Sequence, residues 1–295
     1  MQSTEEATHK LQKAIGRISN LPTPPLVFQQ INKVINNPNT SAYDIAAILS
    51  EDPAMSVKVL KLSNSAFYGL RQEVTSIKQA VIIMGIGAIR SLVLSTAVFG
   101  MFKKNNIEPE FEEQFWRHSL ATATSSKSLV RALSGQWIIE SELAFSAGLL
   151  HDIGLLIVYS YLPDEFEAVR EYQEKNEVVM YKAEQAVLGY THADVGALLA
   201  QKWNLPQKLQ EAIEYHHCPQ FSPKESKHAY VTHVANYIAH ITFDPEKSSE
   251  LNETLLNEGV LEMLKLPREK LQLLKDELIE EYTKCETFMQ MATGV

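Results

Sequence analysis

An all-α fold is what this 295-residue sequence predicts, and three observations predict it. Apolar residues recur three and four apart through segment after segment, the spacing of one helix face. Two-residue alternation, the mark of a half-buried strand, is hard to find. Between the periodic segments stand residues that start and stop helices: Ser41, Asp52 and Ser76 as openers, Gly69, Gly85, Gly189, Pro163 and Pro219 as stops.

Taken in order, residues 4–18 read as a short amphipathic helix, closed by the rigid run Leu21-Pro22-Thr23-Pro24-Pro25. Residues 26–36 carry Leu26, Val27, Ile31, Val34 and Ile35 at helical spacing, and Asn36-Asn37-Pro38-Asn39 is a turn. Ser41 with Asp44 three residues on is a capping arrangement for a helix through Leu49. Asp52-Pro53 puts an N-cap beside a first-turn proline and opens a helix to about Asn64. Ser76 opens Ile77 to Met84, Gly85 ends it, and a further helix runs from about Gly87 to Phe102.

The polar stretch Lys103 to Glu113 contains Pro109 and marks a boundary, so the expected units are 1–105, 106–243 and 244–295. The second unit begins with a helix over Glu112 to Leu133. A single helix is expected over Ser141 to Tyr161, then Asp164 to Asn176, Tyr181 to Leu188, Thr191 to Trp203, Pro206 to His217 and Ser226 to Thr242. The remainder from Asp244 is charged and helical, with a break at Leu266-Pro267.

Composition narrows the function. The chain is 45% hydrophobic and 21% charged, ordinary for a globular protein that buries a core. A net charge of −9 argues against wrapping nucleic acid. Cys218 and Cys285 make no disulfide framework, and residues 1–10 are polar, so the expectation is a reducing cytoplasm. Ala80 to Phe102 and Ala144 to Tyr161 are apolar enough to be mistaken for membrane spans. Glycines interrupt the first, and His151-Asp152 interrupts the second. Buried helices are the expected reading, without a membrane partner.

The chemistry lies in the histidines. His118, His151 directly followed by Asp152, His192, and the adjacent pair His216-His217 fall on separate predicted helices or at their ends, as does Asn236. Helical bundles build metal sites from facing helices. Nitrogen and carboxylate donors without thiolate favour iron, manganese, nickel or zinc, as one or two divalent ions. A carboxylate inside an apolar run such as Gly148 to Val158 is costly unless it is paired or metal-bound. By contrast His9, His228 and His240 read as surface or hydrogen-bonded core residues. His233 shares a helix face with Asn236 and is open to either reading.

In the first half, Leu21-Pro22 with Pro24-Pro25, then Asp52-Pro53-Ala54-Met55, Lys58-Val59-Leu60-Lys61-Leu62, Asn64-Ser65-Ala66, Tyr68-Gly69, and Ile77, Ala80 and Met84-Gly85 follow one another in an order that resembles the HDOD proteins of bacterial signalling, a branch of the HD superfamily of metal-dependent phosphohydrolases. The resemblance covers roughly residues 18 to 240. It implies a helical N-terminal subdomain packed on an HD-like bundle. Asp52, Asn64 and Ser65 read as capping and packing residues. The histidine series of the second half resembles the binuclear pattern of the HD-GYP phosphodiesterases, which cleave cyclic di-GMP. By that resemblance Asp152 bridges two metals, with His118, His151 and position 236 on one and His192, His216 and His217 on the other.

Three positions depart from that pattern. Asn236 stands where the family has Asp, and a neutral amide is the weaker ligand. Leu155 stands where HD-GYP proteins carry a phosphate-contacting Lys, and Cys218-Pro219-Gln220-Phe221 replaces the Gly-Tyr-Pro signature. The expected function is therefore a signalling module without phosphohydrolase turnover, with protein partners in its pathway and a small nucleotide as a compatible ligand. The alternatives are a metal-dependent phosphohydrolase acting on a nucleotide or cyclic dinucleotide, and a scaffold with a metal-free pocket. Against hydrolysis, no Lys or Arg falls between Glu140 and Asp164.

Overall fold

Capping residues set where the helices of the N-terminal half begin. The computed structural model describes residues 2–18, 20–34, 37, 39–102, 107–223, 226–243 and 255–293. The helices of the first half are α1 (Gln2–Gly16), α2 (Leu26–Val34), α3 (Ala42–Ser50), α4 (Pro53–Ser63) and α5 (Ile77–Phe102). Ser41 and Asp44 form a reciprocal capping box at α3, and the Asp52 carboxylate accepts the Met55 amide at 2.9 Å at the start of α4. Asn64 staples the following loop, donating to the Val74 carbonyl at 2.8 Å and accepting the Val74 amide at 2.7 Å. These motif residues thus cap and pack. Gly85 kinks α5 with φ 85° and ψ 160°, a backbone state that only glycine adopts readily.

The second half comprises α6 (Pro109–Ala132), α7 (Ser141–Leu150), α8 (Ile153–Tyr161), α9 (Pro163–Asn176), α10 (Met180–Val187), α11 (His192–Lys202), α12 (Gln207–Tyr215), a 3-10 turn at Pro219–Phe221 and α13 (Lys227–Phe243). Two further helices follow, α14 (Glu258–Leu264) and α15 (Glu269–Thr293). No strand occurs among the described residues, so the fold is all-α. The boundaries expected near 105 and 244 fall on 103–106 and 244–254, outside the described residues, as does part of the turn at 36–39.

One expectation needs correction. Ser141 to Tyr161 is not a single helix: α7 ends at Leu150, and His151 and Asp152 form a turn before α8. An apolar run keeps its periodicity across a two-residue break, so spacing alone does not reveal it. Two contacts impose it. His151 Nδ1 lies 2.8 Å from the Gly148 carbonyl, and the Leu155 amide closes a tight turn onto the Asp152 carbonyl at 2.8 Å. Smaller shifts are that α6 starts at Pro109, and that His216 and His217 lie just past α12.

Packing joins the two halves. Helices α3 and α4 lie on α5, which also contacts α7. One apolar core runs from Phe28, Ile31, Leu49 and Leu92 through Phe145 to Leu156 and Ile213. A second cluster joins Leu129 of α6 and Val234 and Ile238 of α13 to Leu261, Leu264, Leu274 and Leu278. Helix α15 packs on α6 and α13 and also touches α4 and α5, so it straps both halves. The two helical stretches apolar and long enough to cross a membrane, Ile77–Phe102 and Ser141–Tyr161, are 61% and 78% buried over their most apolar windows, as core helices are.

Candidate metal centre

Five structural elements converge at one end of the second half. His118 comes from mid α6, His151 and Asp152 from the α7–α8 turn, His192 from the first residue of α11, His216 and His217 from the segment after α12, and Asn236 from α13. The turn gives Asp152 its position. A continuous helix would carry residues 151 and 152 about 100° apart around its axis. Gly154 locks the crossing of α8 over α11: a Cβ there would lie 1.9 Å from the His192 carbonyl oxygen, so only glycine fits.

Asp152 stands between two groups of nitrogens. Its Oδ2 is 3.1 Å from His151 Nε2 and 3.7 Å from His118 Nε2. Its Oδ1 is 3.1 Å from His192 Nε2 and 3.3 Å from His216 Nε2. His217 Nε2 lies 2.9 Å from His192 Nε2, and His118 Nε2 lies 3.3 Å from His151 Nε2. The donor atoms of Asp152, His192, His216 and His217 all fall within 4.8 Å of one another, as do those of His118, His151 and Asp152. Asn236 reaches the same cavity from α13.

The hydrogen bonds on the far side of each ring determine what the near side offers. His151 Nδ1 faces the Gly148 carbonyl at 2.8 Å and His216 Nδ1 the Ile213 carbonyl at 2.7 Å. His192 Nδ1 faces Glu184 Oε2 at 2.7 Å. An acceptor at Nδ1 assigns the proton there, which leaves Nε2 of each neutral ring as a lone pair. Where such a ring is neutral, its lone pair points at an acidic carboxylate, an arrangement that repels unless a cation or proton lies between. Consistent with this, His216 Nε2 and Asn236 Oδ1 are buried and lack a hydrogen-bond partner among the described residues. The residues therefore fit a divalent metal held by nitrogen and carboxylate, with the outer partners that orient such ligands already in place.

Electrostatics point the same way. Burial alone would raise the Asp152 carboxyl. The surrounding His151, His192 and His216 outweigh it and hold Asp152 well below the usual carboxylate range. Burial holds His118 and His217 well below the ordinary histidine value and brings His216 down to about 4, so all three are neutral donors. His192 is the exception. Burial lowers it, but Glu184 and Asp152 prevail and push it up to about 10. Without a cation, His192 therefore keeps a proton between itself and its acids. A metal competes for that place and releases the proton.

A cavity of about 290 Å³ opens onto the cluster, near the lower end of the roughly 300–1,000 Å³ usual for small-molecule sites. Phe111, Phe115, Leu155, Met180 and Tyr181 give it an apolar wall, and Gln114 and Gln173 add amides. The Tyr181 ring stacks on His217 with centroids 4.4 Å apart. Among the described residues, no lysine or arginine lines this cavity. Arg131 and Lys127, on the helix that carries His118, instead pair with Glu277 and, at 2.8 Å, with Glu142.

Three residues need reassignment beside the sequence reading. Glu184, not singled out there, is 1% exposed and accepts both His192 Nδ1–H and the His192 amide, the latter at 2.9 Å. A signal for it existed: it lies on the apolar stripe of α10 with Met180, Ala183 and Val187, where an acid needs a partner. His240, read as a bland histidine, lines the cavity with its ring 4.5 Å from that of His118. His233 has a structural role. Its Nδ1 faces the His216 carbonyl at 2.7 Å, and its Nε2 accepts the Asn257 amide at 2.9 Å. His233 thereby ties the C-terminal extension to a residue of the cluster.

Residues 21–219 match the family model of the HDOD domain. That match includes His118, His151, Asp152, His192, His216 and His217 and stops short of Asn236. An uncharacterised protein of Treponema pallidum (strain Nichols) is 29% identical over 221 residues, which is 75% of this chain and 42% of that relative. The chain thus spans less than half the length of that relative. Among solved structures, a provisionally assigned phosphohydrolase of Shewanella amazonensis is 27% identical, with TM-score 0.73 over 96% of this chain and 97% of that one. An HDOD domain protein of unknown function from Geobacter sulfurreducens superposes with TM-score 0.76 at 23% identity, covering 97% of this chain and 99% of that one. A provisionally assigned signal transduction protein of Marinobacter aquaeolei gives TM-score 0.78 at 23% identity, over 97% and 66% of the two chains. The last two likenesses establish the fold alone.

Proposed function

Because the chain belongs to the HDOD domain family, we propose that it is a regulatory module of bacterial signalling whose His/Asp pocket holds a divalent metal and a small ligand and does not turn over phosphate esters. One observation carries the last part: among the described residues, the cavity beside the cluster has no lysine or arginine in its wall. Phosphoryl transfer spreads negative charge over several oxygens, and enzymes that catalyse it place cationic clamps around them. Here Leu155 and the aromatic wall occupy that space. Iron, manganese, nickel and zinc all suit the donor set.

Protein partners in a signalling pathway are the proposed readers of the pocket's state. Leu26, Tyr43, Val57, Ile82 and Ile83, exposed on the helices of the first half, support that part of the reading.

A second reading, a metal-dependent phosphohydrolase, is favoured by the sharing of Asp152 between two sets of histidines. Metals bound there would supply Lewis acidity toward water and phosphate oxygens. Asp152 would hold that centre together, and Tyr181 would pack His217 in place.

The test is direct. Protein loaded in turn with Fe(II), Mn(II), Ni(II) and Zn(II) is incubated with a cyclic dinucleotide, a nucleoside triphosphate and an aryl phosphate. The proposal expects no turnover above that of Asp152→Ala. Repeated turnover by the wild type that Asp152→Ala abolishes would replace it with the second reading.

A further inference from the structure

Position 236 is where the first half of the centre lacks a carboxylate, and the structure shows what stands next to it. Asn236 and His240 are four residues apart on α13, hence on one helix face, and both line the cavity together with His118 and Asp152. The His240 ring lies 4.5 Å from the His118 ring at a tilt of 38°. His118 Nε2 in turn is 3.3 Å from His151 Nε2 and 3.7 Å from Asp152 Oδ2. His240 therefore extends the row of donors Asp152, His151 and His118 outward along the cavity wall.

We propose that His240 is the ligand that takes the place of the missing carboxylate, so that one metal is held by His118, His151, Asp152 and His240. This inference rests on the metal-pocket reading above and deepens it. Two arguments support it. A neutral amide is a poor donor for a divalent transition ion, and an imidazole is a good one. A histidine one helical turn beyond position 236 reaches the same cavity without moving the backbone of α13. His240 is not among the donors already gathered within 4.8 Å. It is only half-buried, and its recruitment is a side-chain rotation on metal loading.

The rival role is packing, in which the His240 ring only supports the His118 ring. Phenylalanine separates the two, because it keeps a ring and lacks a donor. Co(II) titrated into metal-free protein, read by its visible absorption and by bound metal per chain, is compared in wild type, His240→Phe, Asn236→Asp and the double variant. Thermal melting of each confirms folding. The expected result is that His240→Phe loses about half of the bound Co(II), the two halves of the centre holding one ion each. The double variant, with a carboxylate restored at position 236, is expected to recover it. Titration of His240→Phe indistinguishable from wild type would overturn the proposal. So would a loss that Asn236→Asp does not repair, since that assigns His240 to packing. A wild type that binds no Co(II) would overturn the pocket reading as well, and is distinguished by its failure before any His240 variant is made.

Discussion

Glu184 Oε2 receives the Nδ1–H of His192 across 2.7 Å, with both side chains buried. The pair turns His192 so that Nε2 faces Asp152, and it fixes which nitrogen carries the proton. A charged acid at 1% exposure is stable here because it accepts both the ring and the backbone amide of the same residue.

The first prediction concerns that pair. Glu184→Ala leaves the His192 ring without its orienting partner and is expected to weaken metal binding by about 10–100-fold, the usual cost of losing such a contact. Glu184→Gln, whose amide oxygen can accept the same bond, is expected to lose less. Competition against a chelator of known affinity reads both. Equal affinity in wild type and Glu184→Ala would remove Glu184 from the metal centre.

A second prediction follows from the crossing of α8 and α11. Gly154→Ala places a methyl group 1.9 Å from the His192 carbonyl oxygen, closer than any real contact, so the helices must separate. The expected cost is about 1–3 kcal/mol of stability. Metal affinity should also fall, because the His192 backbone is displaced. Thermal melting with and without metal measures both effects. An unchanged melt would show that the crossing is looser than described.

The caps and much of the pocket were legible in the sequence because they rest on short-range chemistry. Ser41 with Asp44, and Asp52 with Pro53, are recognisable within four residues, and the structure puts them at α3 and α4. His118, His151, Asp152, His192, His216 and His217 could be picked out because donor types are visible without coordinates. What was not legible depends on tertiary contact. The break between α7 and α8 leaves the apolar spacing of Ser141 to Tyr161 intact, and the close crossing of α8 over α11 at Gly154 is a contact that no local pattern encodes. His240 looked like any helical histidine until α13 was seen to lie along α6. Glu184 was legible in principle, as an acid on an apolar stripe.

The third prediction is a pH dependence. Burial lowers His233 to about 4 from an ordinary value of 6.5, so the folded state holds it neutral while the unfolded chain binds a proton. Its contribution to stability is fully present above pH 6.5 and is lost as pH falls toward 4. It amounts to on the order of 3 kcal/mol across that window. His233→Gln, which can still bond to the His216 carbonyl and the Asn257 amide, should flatten this part of the acid limb. Denaturant melts at several pH values between 4 and 7 provide the comparison. Parallel curves for wild type and variant would exclude His233 as a contributor.

Elemental analysis of untagged protein beside Asp152→Ala reads whether a divalent metal belongs between the histidines around Asp152. Asp152 lies within 3.7 Å of four histidine nitrogens, so removing its carboxylate should empty both halves of the pocket. The prediction is near-stoichiometric metal in the wild type, little or none in the variant, and a lower melting temperature for the variant. Two metal-free proteins of equal stability would instead make the histidine cluster a structural feature of the fold.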